Sequence, residues 1–85
     1  MTKFSLLILK VLNDNHVVSP SGALSVSQIL ELMGKAQRKS YSTAYRHLSN
    51  MQRQGYVKCG LDDALASTYY ISESGKSFCL SQYNV

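Results

Sequence analysis

The 85-residue chain carries nine Lys and Arg against five Asp and Glu, a formal net charge of +4, and is 45% hydrophobic. That length fits one domain, residues 1–85, with a single core; such a chain buries only about 60 to 65% of its extended surface, which disfavours a large catalytic cleft. The hydrophobic content argues against a disordered chain, and the absence of any apolar run of about 18 residues argues against a membrane-spanning helix.

Phe4, Leu7, Ile8, Val11 and Leu12 recur at helical spacing and predict a first helix over about Lys3 to Asn13 that lays one face on a core. Leu6 and Leu9 fall off that stripe, so they are expected either to meet a partner subunit or to be buried on a second side. Lys10 and the Asn13-Asp14-Asn15 cluster interrupt the opening apolar run without a small-residue cleavage site, so no secretory leader is expected and the protein is placed in the cytoplasm. Asn13 to Ala23 reads as a connection with a short extended piece at His16 to Val18, and His16, with no partner in sequence, reads as a solvated histidine.

Ala23-Leu24-Ser25 is expected to form a short strand, and Ser25-Val26-Ser27-Gln28 fits a capping box in which Ser25 and Gln28 satisfy each other's backbone amides. The second helix then runs to about Met33, burying Val26, Ile29, Leu30 and Met33, with Gly34 expected as its left-handed terminator.

Between Leu32 and Leu61 there is no acidic residue, yet Lys35, Arg38, Lys39, Arg46, Arg53 and Lys58 all fall there. A surplus of charge confined to one block suggests a docking face for a polyanion. Within it Ser40 is expected to cap a third helix ended by Gly55, with Tyr41, Ala44, Tyr45, Leu48 and Met51 on its apolar face. Ser42, Arg46, Ser49 and Arg53 lie opposite, flanked by Lys39, Thr43 and Asn50. The bland alternative is a solvated basic face with the tyrosines in the core and His47 on the surface.

After Gly55 the period changes from 3.6 to 2. Tyr56 to Gly60 reads as a strand, Leu61 to Ala66 as a connection, and Ser67 to Ser72 as the returning strand with Tyr69 and Ile71 on one face. Ser72 then caps a short final helix with Glu73 at its positive end, and Phe78, Cys79 and Tyr83 are expected to pack back. Cys59 and Cys79 lack metal-ligand spacing and are read as reduced thiols, with a disulfide between them as the alternative. No metal or cofactor is expected. Asp62 and Asp63, adjacent on a turn, lack the burial that tunes a general acid, and no nucleophile and base stand at recognisable spacing, so the chain is not expected to be an enzyme.

The expected fold is α+β, mainly α: a winged helix-turn-helix with a three-helix core, a two-stranded β-hairpin wing and a short C-terminal helix. In that order of elements the third helix, about residues 40–54, would enter the major groove of double-stranded DNA. Arg46 is expected to read bases, Ser42, Thr43 and Asn50 to add base or phosphate contacts, and Lys35, Arg38, Lys39, Arg53 and Lys58 to neutralise phosphates.

The segments Ser40 to Leu48, Gly55-Tyr56-Val57 and Tyr69 to Lys76 together resemble the PadR group of winged-helix transcriptional regulators. In that group a Ser-x-x-Thr-x-Tyr-x-x-Leu recognition helix leads through Gly-x-Val into the wing, and the returning strand ends in Tyr-Tyr-x-Leu-Thr-x-x-Gly. The resemblance covers roughly Leu24 to Lys76 and implies sequence-specific transcriptional regulation by a homodimer. This chain lacks one residue between the tyrosine pair and Ile71, and it ends at Val85, short of the longer helical region that usually dimerises the group. The expected dimer surfaces are therefore the first helix, through Leu6 and Leu9, and the segment around Phe78, Leu80 and Tyr83. Asp62 and Asp63 at the wing tip would be repelled by phosphate, which motivates an alternative: a winged-helix module that binds protein through the wing, as an adaptor or inhibitor of a nucleoprotein complex, without specific DNA binding.

Overall fold

The computed structural model describes residues 2–60 and 67–83, and the fold is α+β and mainly helical. Helix α1 spans Lys3–Asp14, strand β1 Leu24–Ser25, α2 Val26–Leu32, α3 Tyr41–Gln54, β2 Val57–Cys59, β3 Thr68–Ile71 and α4 Glu73–Tyr83, with a 3-10 turn at Pro20–Gly22. The three strands form an antiparallel sheet in the order β1-β3-β2. Among the described residues no helix is long and apolar enough to cross a membrane. The expectations for Leu61 to Ala66, including Asp62 and Asp63, and for the side chain of Tyr83 lie outside the described residues.

Local chemistry sets most boundaries. Thr2 caps α1 by accepting from the Ser5 amide, and Ser25 and Gln28 form the full capping box at the start of α2. The Ser40 hydroxyl accepts from the Thr43 amide to start α3, and Gly55, at φ 85°, turns the chain out of its end. Ser72 opens α4: its Oγ accepts from the Gly75 amide at 3.1 Å while donating to the Gly55 carbonyl, so one hydroxyl joins the end of α3 to the start of α4.

Two boundaries differ from expectation. Helix α2 ends because Met33 turns extended, at ψ 145°, and not through a left-handed Gly34; Gly55 is the only glycine at positive φ among the described residues. Met33 itself is buried at this boundary. His16 to Val18 is not extended throughout: His16 sits at φ 56°, and the following Val17 carbonyl takes the Ile71 amide at 2.9 Å, anchoring the loop at the last residue of β3.

The core gathers Ile8, Leu9 and Leu12 from α1, Val26, Ile29 and Leu30 from α2, Ala44, Leu48 and Met51 from α3, and Val57, Tyr69 and Ile71 from the sheet. Leu9 is fully buried, so it belongs to the core and not to a partner surface; Leu6 is half-buried. The apolar surface of α1 is wide because α1 packs against α4 as well as α2 and α3. On α4, Cys79 is buried and Phe78 lies against Tyr56 with ring centroids 5.0 Å apart, while Leu80 is 49% exposed. Cys59 is exposed and both thiols are free, so the alternative of a disulfide between them does not hold.

Candidate nucleic-acid interface

Because α3 buries Ala44, Leu48 and Met51, its 3.6-residue period turns Ser42, Arg46, Asn50 and Arg53 to the far side, where all four are exposed. Among the described residues no carboxylate lies within ion-pair distance of Arg46 or Arg53, and the ion pair formed is Lys10 with Asp14, on α1. Arg53 donates to the Asn50 side-chain carbonyl, which steadies both on the outward face. Thr43 is half-buried and belongs partly to the cap, its Oγ1 accepting from the Ser40 hydroxyl at 2.9 Å.

The turn between α2 and α3 presents Lys35, Arg38 and Lys39, all exposed. Two of them are partly engaged: an Arg38 guanidinium nitrogen lies 3.4 Å from the Met33 carbonyl it donates to, and the Lys39 ammonium stands 5.7 Å from the centre of the Phe4 ring, within cation–π range. Lys58 is placed apart. It pairs with Tyr70 across the sheet, and strand alternation puts both on the face away from Val57 and Tyr69.

Beside α3 runs an open groove of about 600 Å³ bordered by the first turns of α1, residues 36–39 of the turn, and Thr43, Arg46 and His47 of α3. Lys3, Arg38, Lys39 and Arg46 converge on it, and among the described residues no acidic one lines it. The sequence offered no means of placing Lys3 here, since it approaches α3 only through the tertiary fold. His47 is equally misjudged as a surface histidine. Its Nδ1 is 2.7 Å from the Ser5 hydroxyl and 3.3 Å from that of Thr2, and its ring meets Phe4 edge to face at 5.1 Å. Burial first, then the neighbouring Arg46 and Lys39 charges, hold this imidazole below its ordinary 6.5. Its place on the rim of the apolar face, one residue before Leu48, is the one clue in sequence to partial burial.

The opposite flank of α3 is aromatic. Tyr41 is 54% and Tyr45 46% exposed, so neither belongs to the core as the spacing suggests. Tyr69 holds the buried position, its phenol pushed up mainly by burial and then by nearby Tyr45, Cys59 and Tyr41. Tyr41 and Tyr45 therefore rim the junction between α3 and the sheet. Among the described residues no group of three His, Cys, Asp or Glu side chains is placed to hold a metal ion. Neither a protein-family model nor a curated protein matches this sequence.

Proposed function

We propose that the chain is a winged helix-turn-helix regulator, similar to the PadR group, that binds double-stranded DNA as a symmetric dimer in the cytoplasm and carries out no catalysis. In this reading α3 is the recognition helix, and β2 with β3 forms the wing. The major groove is about 12 Å wide and accepts one helix with its side chains. Arg46 reads a base, with guanine the best geometric match to its fork and a bidentate pair contributing about 1 to 3 kcal/mol of discrimination. Ser42 and Asn50 add polar contacts, while Lys35, Arg38, Lys39 and Arg53 neutralise phosphates and fix register. The observation that carries the reading is the outward face of α3, where Arg46 and Arg53 are exposed and unpaired with any carboxylate among the described residues.

Two copies are proposed because one helix makes few base contacts; half-sites would then lie about 34 Å apart or a multiple of that. With Leu9 in the core, exposed Leu80 on α4 is the better dimer contact. The test is anisotropy of a labelled random duplex library against salt. Affinity should fall with a log-log slope near 0.9 per phosphate contacted, and Arg46→Ala with Arg53→Ala should abolish most of it. Unchanged affinity of that double variant at low salt would overturn the reading.

A second reading, a winged-helix module that binds protein, is favoured by the exposed Tyr41 and Tyr45, since accessible tyrosines are enriched where proteins meet. It expects binding that is weakly dependent on salt and sensitive to Tyr41→Ser with Tyr45→Ser.

A further inference from the structure

We infer that the groove between α1, the α2–α3 turn and α3 binds a phosphoryl group, and that His47 takes up a proton from solvent as it does so. This goes beyond base reading by α3 and adds Lys3 and His47 to the residues that meet the ligand.

Cations from three separate segments converge there: Lys3 from α1, Arg38 and Lys39 from the turn, Arg46 from α3. Among the described residues nothing acidic lines the groove to compensate them, so the concavity holds a positive potential that an anion relieves. Phosphate suits it because guanidinium and ammonium groups both match its oxygens.

His47 stands on the wall of this groove and carries the second half of the inference. The groups facing it are Thr2, Ser5 and Phe4 on α1, Lys39 in the turn and its neighbour Arg46 on α3. Neither hydroxyl opposes protonation, because a serine or threonine hydroxyl that donates to the neutral ring can rotate and accept from the charged one. What opposes it is partial burial and the two cations. A phosphate held by Lys3, Arg38 and Lys39, beside the Arg46 that reads the base, offsets the repulsion, so the imidazole gains a proton when the anion arrives. By linkage, phosphate binds more tightly as the pH falls, by up to tenfold for each unit that the His47 midpoint rises on binding.

The same chemistry can come from the backbone of a bound duplex or from a free polyphosphate, and the experiment separates them. The imidazole C–H resonances of His47 and His16 are followed against pH in the wild-type protein alone, with a random-sequence duplex, and with tripolyphosphate. Duplex affinity is also measured from pH 7.5 to 5.5 at constant ionic strength for wild type, His47→Gln and Lys3→Gln; phosphodiester charge is constant over that range, so the protein alone titrates.

The inference expects the His47 midpoint to rise with bound ligand. It expects duplex affinity to climb severalfold toward pH 5.5, His47→Gln to lose that climb, and Lys3→Gln to lower the salt slope by about 0.9. A shift with duplex alone assigns the groove to the DNA backbone. A shift with tripolyphosphate alone assigns it to a free ligand and removes the support for DNA binding while leaving the groove assignment standing. If wild type binds duplex but neither ligand moves His47 and Lys3→Gln keeps the full slope, the groove assignment fails and the reading of α3 stands.

Discussion

The Ser5 hydroxyl of α1 and the His47 imidazole of α3 lie 2.7 Å apart, with Thr2 completing the group at 3.3 Å. This contact fixes the first turn of α1 against the middle of α3, forty-two residues away along the chain. Ser5→Ala should remove the shorter hydrogen bond and leave the ring nitrogen with Thr2 alone, at a cost of about 1 kcal/mol by urea unfolding. The pH dependence has a definite sign. The folded His47 binds protons less readily than the unfolded ring at 6.5, so the unfolded chain gains protons first on acidification. Stability from neutral His47 is complete above 6.5 and is lost as the pH falls from there through the folded midpoint; a His47→Gln chain should show a flatter profile in that window.

Two glycines separate close packing from open space. A Cβ on Gly75 would come 2.0 Å from the Tyr56 carbonyl oxygen and 2.9 Å from Ile71 Cγ1, and the nearer obstacle is backbone that cannot swing aside. Gly75→Ala must therefore push α4 off the sheet, destabilising by about 3 kcal/mol or more. Gly34 has nothing within 4 Å of its added Cβ and no positive φ, so Gly34→Ala should stabilise by about 0.4 to 1 kcal/mol through the unfolded chain. Paired thermal melts decide both signs.

Much of the fold was legible because short-range chemistry determines it. The Ser25-Gln28 box, the Ser40 cap, left-handed Gly55 and the alternation of Tyr69 and Ile71 each act within a few residues. What sequence misjudged depends on partners far along the chain. Leu9 was open between a partner surface and burial on a second side, and only the packing of α4 on α1 decides for burial. Tyr41 and Tyr45 looked like core because they share helical spacing with Ala44 and Leu48, yet it is Tyr69 of the sheet that is buried and they that are exposed. The outward face of α3 could be read in advance; the groove could not, since Lys3 and His47 meet only through the fold.

The cysteines should differ in reactivity. Cys59 is exposed on β2, whereas Cys79 is buried under α1, where burial and then the Asp14 carboxylate push its thiol up against the weaker opposing effect of Lys10. The reactive species is the thiolate, so a disulfide reagent at neutral pH should modify Cys59 rapidly and Cys79 only as the fold opens. Two fast thiols would show that α4 detaches readily. Cys59→Ser should then leave a single slow phase whose rate rises with urea.

Charge removal at different places in the basic block should separate position from mere count. Arg53 lies on the outward face of α3, tethered to Asn50, and Lys58 on the sheet face with Tyr70; both are exposed cations in the same acid-free block. If only net charge mattered, Arg53→Gln and Lys58→Gln would weaken duplex binding equally. If α3 docks in the groove, Arg53→Gln should lower the salt slope by about 0.9 and Lys58→Gln should leave it unchanged. Arg46→Ala should differ from both in kind, flattening preference among duplex sequences by about 1 to 3 kcal/mol at one base position. Anisotropy titrations of the three variants on one high-affinity duplex and one scrambled duplex, over a range of salt, distinguish a reader from a phosphate contact and both from a bystander. Equal slopes for Arg53→Gln and Lys58→Gln would mean that the basic block attracts DNA without orienting it.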